Sequence, residues 1–329
     1  MRVETIPTSE LSGFARLFAQ SPFLPLAYLP GVSREDCAVM QQRVLESKLA
    51  QGGRELLAVS RGGEAAGLAL VETLPWDSGV YGFPMARLAA LMAVPGAEEY
   101  AVKCALAEAA RDRAQQRGAC FVDAQAHLGD LKSVHALCAQ GFRCMDTHVA
   151  IVWDLTKALP PAPASEAVVA EARPDDYADL ISVSGRSYAP YSRFVVDDDL
   201  PRERAPEVFR QWAGNGLRGY ADRVQLARID GTAVGFCTWR IHKSSEQFLK
   251  LRFANLDLTG VLPEARGKGV LSAMVHDGLR WLQEQGIQYA EVLTHALNTG
   301  MQRGCSLLGG KTLAARHNFH WHASYRKGE

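Results

Sequence analysis

The sequence predicts two tandem α/β domains, each an α+β mixed sheet in which hairpins come first and a βαβ unit last. Three observations carry that prediction. The Pro/Ala-rich run Leu159–Ser165 reads as a linker. The two halves match each other without gaps at an offset of 168 residues. Alternating apolar runs and long helical patterns follow one another in the same order on both sides of the linker. The expected division is residues 1–158, a linker at 159–166, and residues 167–329.

The register of the repeat is specific. Gly63-Glu-Ala-Ala-Gly67 falls on Gly231-Thr-Ala-Val-Gly235, and Pro95 falls on Pro263. Gly118 falls on Gly286, Phe121-Val-Asp123 on Tyr289-Ala-Glu291, His127 on His295, and Gly141 on Gly309. A shared register over about eighty residues is the signature of a duplicated domain.

The elements follow in order. Leu56–Ser60 and Gly67–Glu72 form a hairpin around Arg61-Gly-Gly63. Residues 101 to 116 place Ala and Leu on one helix face, and Val149–Asp154 is an apolar strand. After the linker come a strand at 168–173 and a helix start at Pro174-Asp-Asp. Val224–Arg228 and Ala233–Ile241 form a second hairpin around Asp230-Gly231. Then come a strand (253–261), a glycine turn, a helix (271–284), a strand (289–294), a helix (299–308) and a final strand near 317–322.

Composition narrows the class. Hydrophobic residues make up 47% of the chain and the net charge is zero, so a packed core is expected and disorder is not. A neutral chain has no general attraction to nucleic acid or a membrane surface. Seven cysteines without a C-x-x-C pair read as small buried hydrophobes in a reducing compartment. No run reaches the roughly 18 apolar residues of a membrane helix, and Met1–Pro7 lacks a signal-peptide core, so a cytoplasmic protein is expected. A nucleotide triphosphatase is disfavoured because no G-x-x-x-x-G-K-[ST] occurs.

The turn Val261-Leu-Pro-Glu-Ala-Arg-Gly-Lys-Gly-Val-Leu271 carries the chemistry. A strand, a turn with two glycines and two cations, and then a helix make an anion cradle. Glycines let backbone N–H groups approach an oxyanion, and the helix N-terminus adds unpaired donors and a positive dipole end. In the other half Glu98-Glu-Tyr-Ala101 stands where Arg266-Gly-Lys-Gly269 stands here. Two carboxylates there repel an anion, so one copy is expected to bind and the other to be degenerate.

Pro263–Gly269 after a strand, followed by a strand, Asn298, a helix and Gly309, resembles motifs A and B of the GNAT acyl-CoA N-acetyltransferases. Within that family the chain is similar to the tandem dTDP-fucosamine acetyltransferase group. Trp76–Phe83, Ala139–Asp146, Tyr191-Ser-Arg-Phe194, the stretch 197–201 and Trp212 carry that likeness. The resemblance covers nearly the whole chain and implies two GNAT-like domains with a degenerate N-terminal copy. It implies acetyl-CoA as co-substrate and acetyl transfer to the amine of a small molecule such as an amino sugar carried on a nucleotide. It also implies that the diphosphate rests on the amides of Arg266, Gly267, Lys268, Gly269, Val270 and Leu271. The pantetheine arm would then run beside Leu258, Val261 and Leu262, with Asn298 close by.

Two positions depart from the family pattern. Leu271 stands where Gly or Ala is common, and Cys305 where a tyrosine usually protonates the leaving thiolate. Cys305 is either a proton donor, an acyl acceptor or a small core residue. Asp257 is the candidate base, expected to share a strand face with Asn255 and Thr259 by alternation; the alternative is a structurally paired carboxylate. Thr294 and His295 end the next strand near the substrate, although the recurrence of His127 favours a structural histidine. The resemblance turns His320 on the final strand toward the substrate. Arg193 contacts a substrate anion or makes an ion pair. No cysteine or acid completes a zinc set around His317, His320 and His322, so no metal is expected. Two other readings stand beside the acetyltransferase: a non-catalytic acyl-CoA-binding protein, and an acyltransferase or decarboxylase acting on carrier-protein thioesters. Either a monomer or a homodimer is compatible with a tandem pair.

Overall fold

The structure, a computed structural model, describes residues 1–188 and 190–324. Its strands are β1 (Glu4–Ile6), β2 (Arg54–Arg61), β3 (Glu64–Thr73), β4 (Met85–Ala93), β5 (Phe121–His127), β6 (Arg143–Asp154), β7 (Val168–Glu171), β8 (Arg223–Ile229), β9 (Thr232–Ile241), β10 (Phe253–Val261), β11 (Tyr289–His295) and β12 (Lys311–His322). The helices are α1 (Ala15–Gln20), α2 (Arg34–Leu49), α3 (Pro75–Tyr81), α4 (Glu99–Gln116), α5 (Leu131–Ala139), α6 (Tyr177–Arg186), α7 (Arg193–Val196), α8 (Ala205–Asn215), α9 (Lys243–Leu249), α10 (Val270–Glu284) and α11 (Thr299–Leu307). Among the described residues no helix is long and apolar enough to cross a membrane.

The chain forms two compact units, Met1–Thr147 with the segment from Ala315 onward, and His148–Ala314. Strand order in the first is β1-β2-β3-β4-β5-β12, and in the second β6-β11-β10-β9-β8-β7. The repeat reappears in the strand registers. In the first unit β4 and β5 run parallel from Met85↔Phe121 to Leu88↔Ala124. In the second, β10 and β11 run parallel from Phe253↔Tyr289 to Leu256↔Val292, each position 168 residues on. Each unit also has a bulge on the strand that leaves the parallel pair, at Ala89 in β4 and at Asp257 in β10.

Gly67 and Gly235 show why the glycines recur. A Cβ on Gly67 would meet Val102, the Met92 carbonyl and Leu106; a Cβ on Gly235 would meet Met274, Val270 and the Gly260 carbonyl. In both units a helix start presses onto the hairpin strand, and only hydrogen fits between them.

The units do not follow the expected linear division. Residues 148–154 of β6 pair antiparallel with β11, so the strand before the linker completes the second unit. Residues 316–322 of β12 pair antiparallel with β5 and complete the first. Each half has surrendered its last strand, because a strand satisfies its backbone against any edge of the right register. The expected linker is also packed rather than loose. His276 Nε2 lies 3.1 Å from the Pro160 carbonyl, and Ser165 Oγ donates to the Lys268 carbonyl at 3.2 Å.

The second unit seats α10 firmly. Trp239 is fully buried, and a Cβ on Gly278 would meet its ring at 2.3 Å. The indole N–H donates to Gln225 Oε1 at 2.7 Å, and Gln225 and Arg223 both reach Asp277 Oδ2. Burying the indole while satisfying its one donor makes this the anchor that sets the start of α10; truncating such a tryptophan costs about 3–5 kcal/mol.

Candidate active site

The site grows from the splay of two parallel strands. Beyond Leu256↔Val292, β10 stays paired to β9 while β11 continues against β6. The edge of Leu258–Val261 that faces away from β9 therefore has no strand partner, and it borders a cleft of about 850 Å³ within the second unit. The bulge at Asp257 causes the parting. It also turns the strand over: Ala254 and Leu256 pack with α10, whereas Leu258 packs with Leu180 of α6 and Phe236. The expected shared face of Asn255, Asp257 and Thr259 is thereby broken. Thr259 Oγ1 bonds on the far face, to the Phe236 carbonyl at 2.9 Å with Cys237 Sγ at 3.1 Å. An extra residue in one strand shifts the alternation by one, and nothing in the local pattern announces it.

Asp257 lines the cleft at this parting point. Burial pushes its carboxyl up to about 6; the nearby Arg240 guanidinium opposes that and the Asp222 carboxylate adds to it. A carboxyl titrating near 6 is an effective base at neutral pH.

The anion cradle lies at the other end of the cleft. Gly267 (φ 79°) and Gly269 (φ 73°) both adopt the left-handed conformation. The Arg266 N–H is used by the Pro263 carbonyl, and the first intrahelical bond of α10 runs from Ala273 N to Gly269 O. The amides from Gly267 to Ser272 therefore have no backbone acceptor among the described residues. A run of open amides at a helix N-terminus fits a diphosphate. Leu271 does not obstruct it: its side chain packs toward Gly304 of α11, 3.4 Å from where a Cβ would stand. Asn298 caps α11 by accepting from Met301 N at 3.2 Å, and its amide donates to Thr294 Oγ1 at 3.1 Å.

The first unit shows what degeneration means. Lys103, at the position matching Leu271, is 3% exposed. Its ammonium bonds Asp130 at 2.7 Å and Glu99 at 2.9 Å. Asp130 matches the cap Asn298, and Glu99 matches Gly267. Burial works against ionising Glu99, but Lys132 and Lys103 outweigh it and hold the carboxyl low. The place where an anion would sit is filled by an internal carboxylate pair and its cation. At the bulge, Ala89 stands where the second unit has Asp257, so this copy also lacks the carboxyl.

The sequence-derived candidates divide. Asp257, Leu258, Val261, Arg266, Gly267, Gly269, Val270, Leu271, Thr294, His295 and Asn298 all line the cleft. Cys305 does not: it is 1% exposed in the core beneath α11, and burial pushes its thiol up to about 12. Its counterpart Leu137 occupies the same core position in the unit without a cradle, so position 305 serves packing. Leu262 is likewise buried, beside Leu258. Lys268 contributes backbone only, since its ammonium faces Glu166 at 3.5 Å. Arg193 lies over the Phe194 ring at 4.6 Å, away from the cleft lining. His320 belongs to the first unit, fully buried opposite Asp123 and edge-on to Phe121; the strand exchange removed it from this cleft. His295 keeps a structural task, its Nδ1 accepting from Leu297 N at 2.9 Å just as His127 Nδ1 accepts from Gly129 N at 3.0 Å.

Among the lining residues that the sequence reading did not assign to the site are Tyr191 and His148. Tyr191 places its ring 4.6 Å from that of His295, and burial raises its phenol. His148 sits opposite His295 in the register of β6 and β11. Both come from distant parts of the chain, and no local spacing links them to the cradle.

A duplicated α/β fold with a splayed strand pair, a run of open main-chain amides and a buried carboxyl fits the frame of an acyl-CoA transferase. Residues 187–305 match the family described as acetyltransferase (GNAT) family. Over 237 residues the chain is 29% identical to a mycothiol acetyltransferase of Sanguibacter keddieii, covering 66% of this chain and 69% of the relative. Among solved structures, a GCN5-related N-acetyltransferase from Sphaerobacter thermophilus aligns with a TM-score of 0.65 at 16% identity, over 98% of this chain and 95% of its own. A tandem GNAT protein from the clavulanic acid biosynthesis pathway aligns with a TM-score of 0.60 at 17% identity, over 99% of both. Residues 187–305 thus carry the likeness to the GNAT acetyltransferase family, and the mixed α/β fold of tandem GNAT proteins extends over the whole chain.

Proposed function

We propose that the second unit transfers an acetyl group from acetyl-CoA to the amine of a small molecule, by direct attack in a ternary complex. The observation that carries this reading is the run of open amides from Gly267 to Ser272 at one end of the cleft with the raised carboxyl of Asp257 at the other. The diphosphate rests on those amides, and the pantetheine arm lies along the unpaired edge of Leu258–Val261.

The chemistry balances with few parts. Asp257 takes a proton from the substrate ammonium, and the nitrogen lone pair attacks the thioester carbonyl carbon. Main-chain donors on the open edge of β10 stabilise the oxyanion. The C–S bond breaks with its electron pair on sulfur. The thiolate, a base of pKa near 8.5 by the cysteine reference, takes up the proton Asp257 removed, and the amide nitrogen releases its second proton to water. Cys305 has no part in these steps. Holding both reactants in one cleft supplies much of the rate.

The likeness to the dTDP-fucosamine group favours an amino sugar, and the name of the Sanguibacter relative makes the desacetyl form of mycothiol a further acceptor to try. Thiol release from acetyl-CoA across amines of both kinds tests the reading. Amine-dependent release supports it; acetyl-CoA binding with no release for any amine means a binding protein instead.

A further inference from the structure

On the side of Asp257 away from the cradle lies a polar cluster that the transfer reaction does not yet use. Arg240 on β9 stands directly opposite Asn255 on β10, two residues before the bulge. Directly paired residues share a sheet face with Cβ atoms about 5 Å apart, and the guanidinium lies close enough to the Asp257 carboxyl to act on its charge. Tyr220 holds it in place, with the ring centroid 4.3 Å from Cζ and the phenol oxygen accepting from Nη1 at 2.5 Å. Among the described residues no carboxylate makes an ion pair with Arg240, although most exposed arginines of this chain have one. Asp222, the nearest acid on the neighbouring segment, is engaged by the Ile241 N–H at 2.6 Å.

Beside this arginine the part-buried side chains of Asn255 and His242 face each other and interact, which leaves the guanidinium as the cluster's free polar group. A clamped, planar cation with four remaining donors recognises carboxylate or phosphate oxygens in paired geometry.

We propose that the acceptor is an amine carrying an anionic group, a carboxylate or a phosphate ester, and that Arg240 receives that group while Asp257 receives the amine. This rests on the acetyltransferase reading and adds the acceptor's class and the residue that selects it. Arg240 acts on binding and orientation, not on the proton.

The test measures acetyl-CoA-dependent thiol release by the full chain with matched pairs. Glucosamine 6-phosphate is compared with glucosamine, and amino acids with their amides; the two sets separate phosphate from carboxylate. The anionic member of at least one set should win in kcat/KM by at least about tenfold, the worth of one charge-assisted contact. In Arg240→Gln that ratio should fall to about one, and Arg240→Lys should restore part of it. Equal turnover of neutral and anionic members, or a ratio that survives Arg240→Gln, overturns the proposal while leaving the acetyltransferase intact. Failure of acetyl-CoA itself to bind overturns both.

Discussion

Replacing Asp257 by Asn is the perturbation that separates function from stability most cleanly. The carboxyl is raised to about 6 because burial disfavours its charge. As the base it must be ionised, so kcat/KM should be half-maximal near pH 6 and fall about tenfold per pH unit below that. Removing a positioned base typically costs about 10²–10⁴ in rate. The linkage has the opposite sign. A carboxyl whose folded pKa exceeds its unfolded value near 3.9 binds its proton more tightly in the folded state. Its favourable contribution is present at low pH and is lost as pH rises through about 6. Above that pH the ionised side chain destabilises the fold, by at most about 3 kcal/mol, and by less where Arg240 and solvent screen it. Asp257→Asn should therefore be nearly inactive at pH 8 yet melt at a higher temperature than the parent, and the gain should vanish near pH 4. The assays are thiol release against pH and melting by circular dichroism against pH. Two acceptors of different amine pKa identify the enzyme's own inflection, which stays near 6 while the substrate's moves. Full turnover by Asp257→Asn, or a profile flat between pH 5 and 8, would refute the assignment.

Other expectations follow from the same geometry. Gly269→Ala forces a left-handed alanine, costing about 1 kcal/mol or more, and drives its Cβ to 2.3 Å from the Ala164 carbonyl; acetyl-CoA affinity measured by calorimetry should drop at least about tenfold. Cys305→Ala should leave kcat unchanged while lowering stability by about 1 kcal/mol in denaturant melts, since it deletes a buried atom from the core and no proton donor; a large loss of kcat would return the thiol to the mechanism. Lys103→Met should destabilise the first unit by about 3 kcal/mol or more by leaving Glu99 and Asp130 as buried carboxylates, without changing the affinity for acetyl-CoA.

Much of this was legible in the residues. The strand of β10 and the turn that follows it are local patterns, and the repeat offset located the matching glycines because each marks either a left-handed turn or a close approach of the backbone. The features that escaped are non-local. The bulge at Asp257 leaves the burial alternation of β10 looking regular while exchanging its faces. The exchange of final strands is a choice between two edges of equal chemistry, which removed His320 from the cleft and brought in His148. Cys305 counts to the family's tyrosine position, but the inward face of α11 carries Met301 and Cys305 alike, as the match with Leu137 indicates.

The central claim is that open main-chain amides of the second unit, and not the first, hold a diphosphate. Calorimetric titration of the full chain with acetyl-CoA and with acetyl-pantetheine, which lacks the diphosphate, tests it most directly. The account predicts one acetyl-CoA site per chain and at least about hundredfold weaker binding of the truncated thioester, as the loss of two or more charge-assisted contacts requires. Equal affinity for the two thioesters, or two equivalent sites per chain, would contradict it.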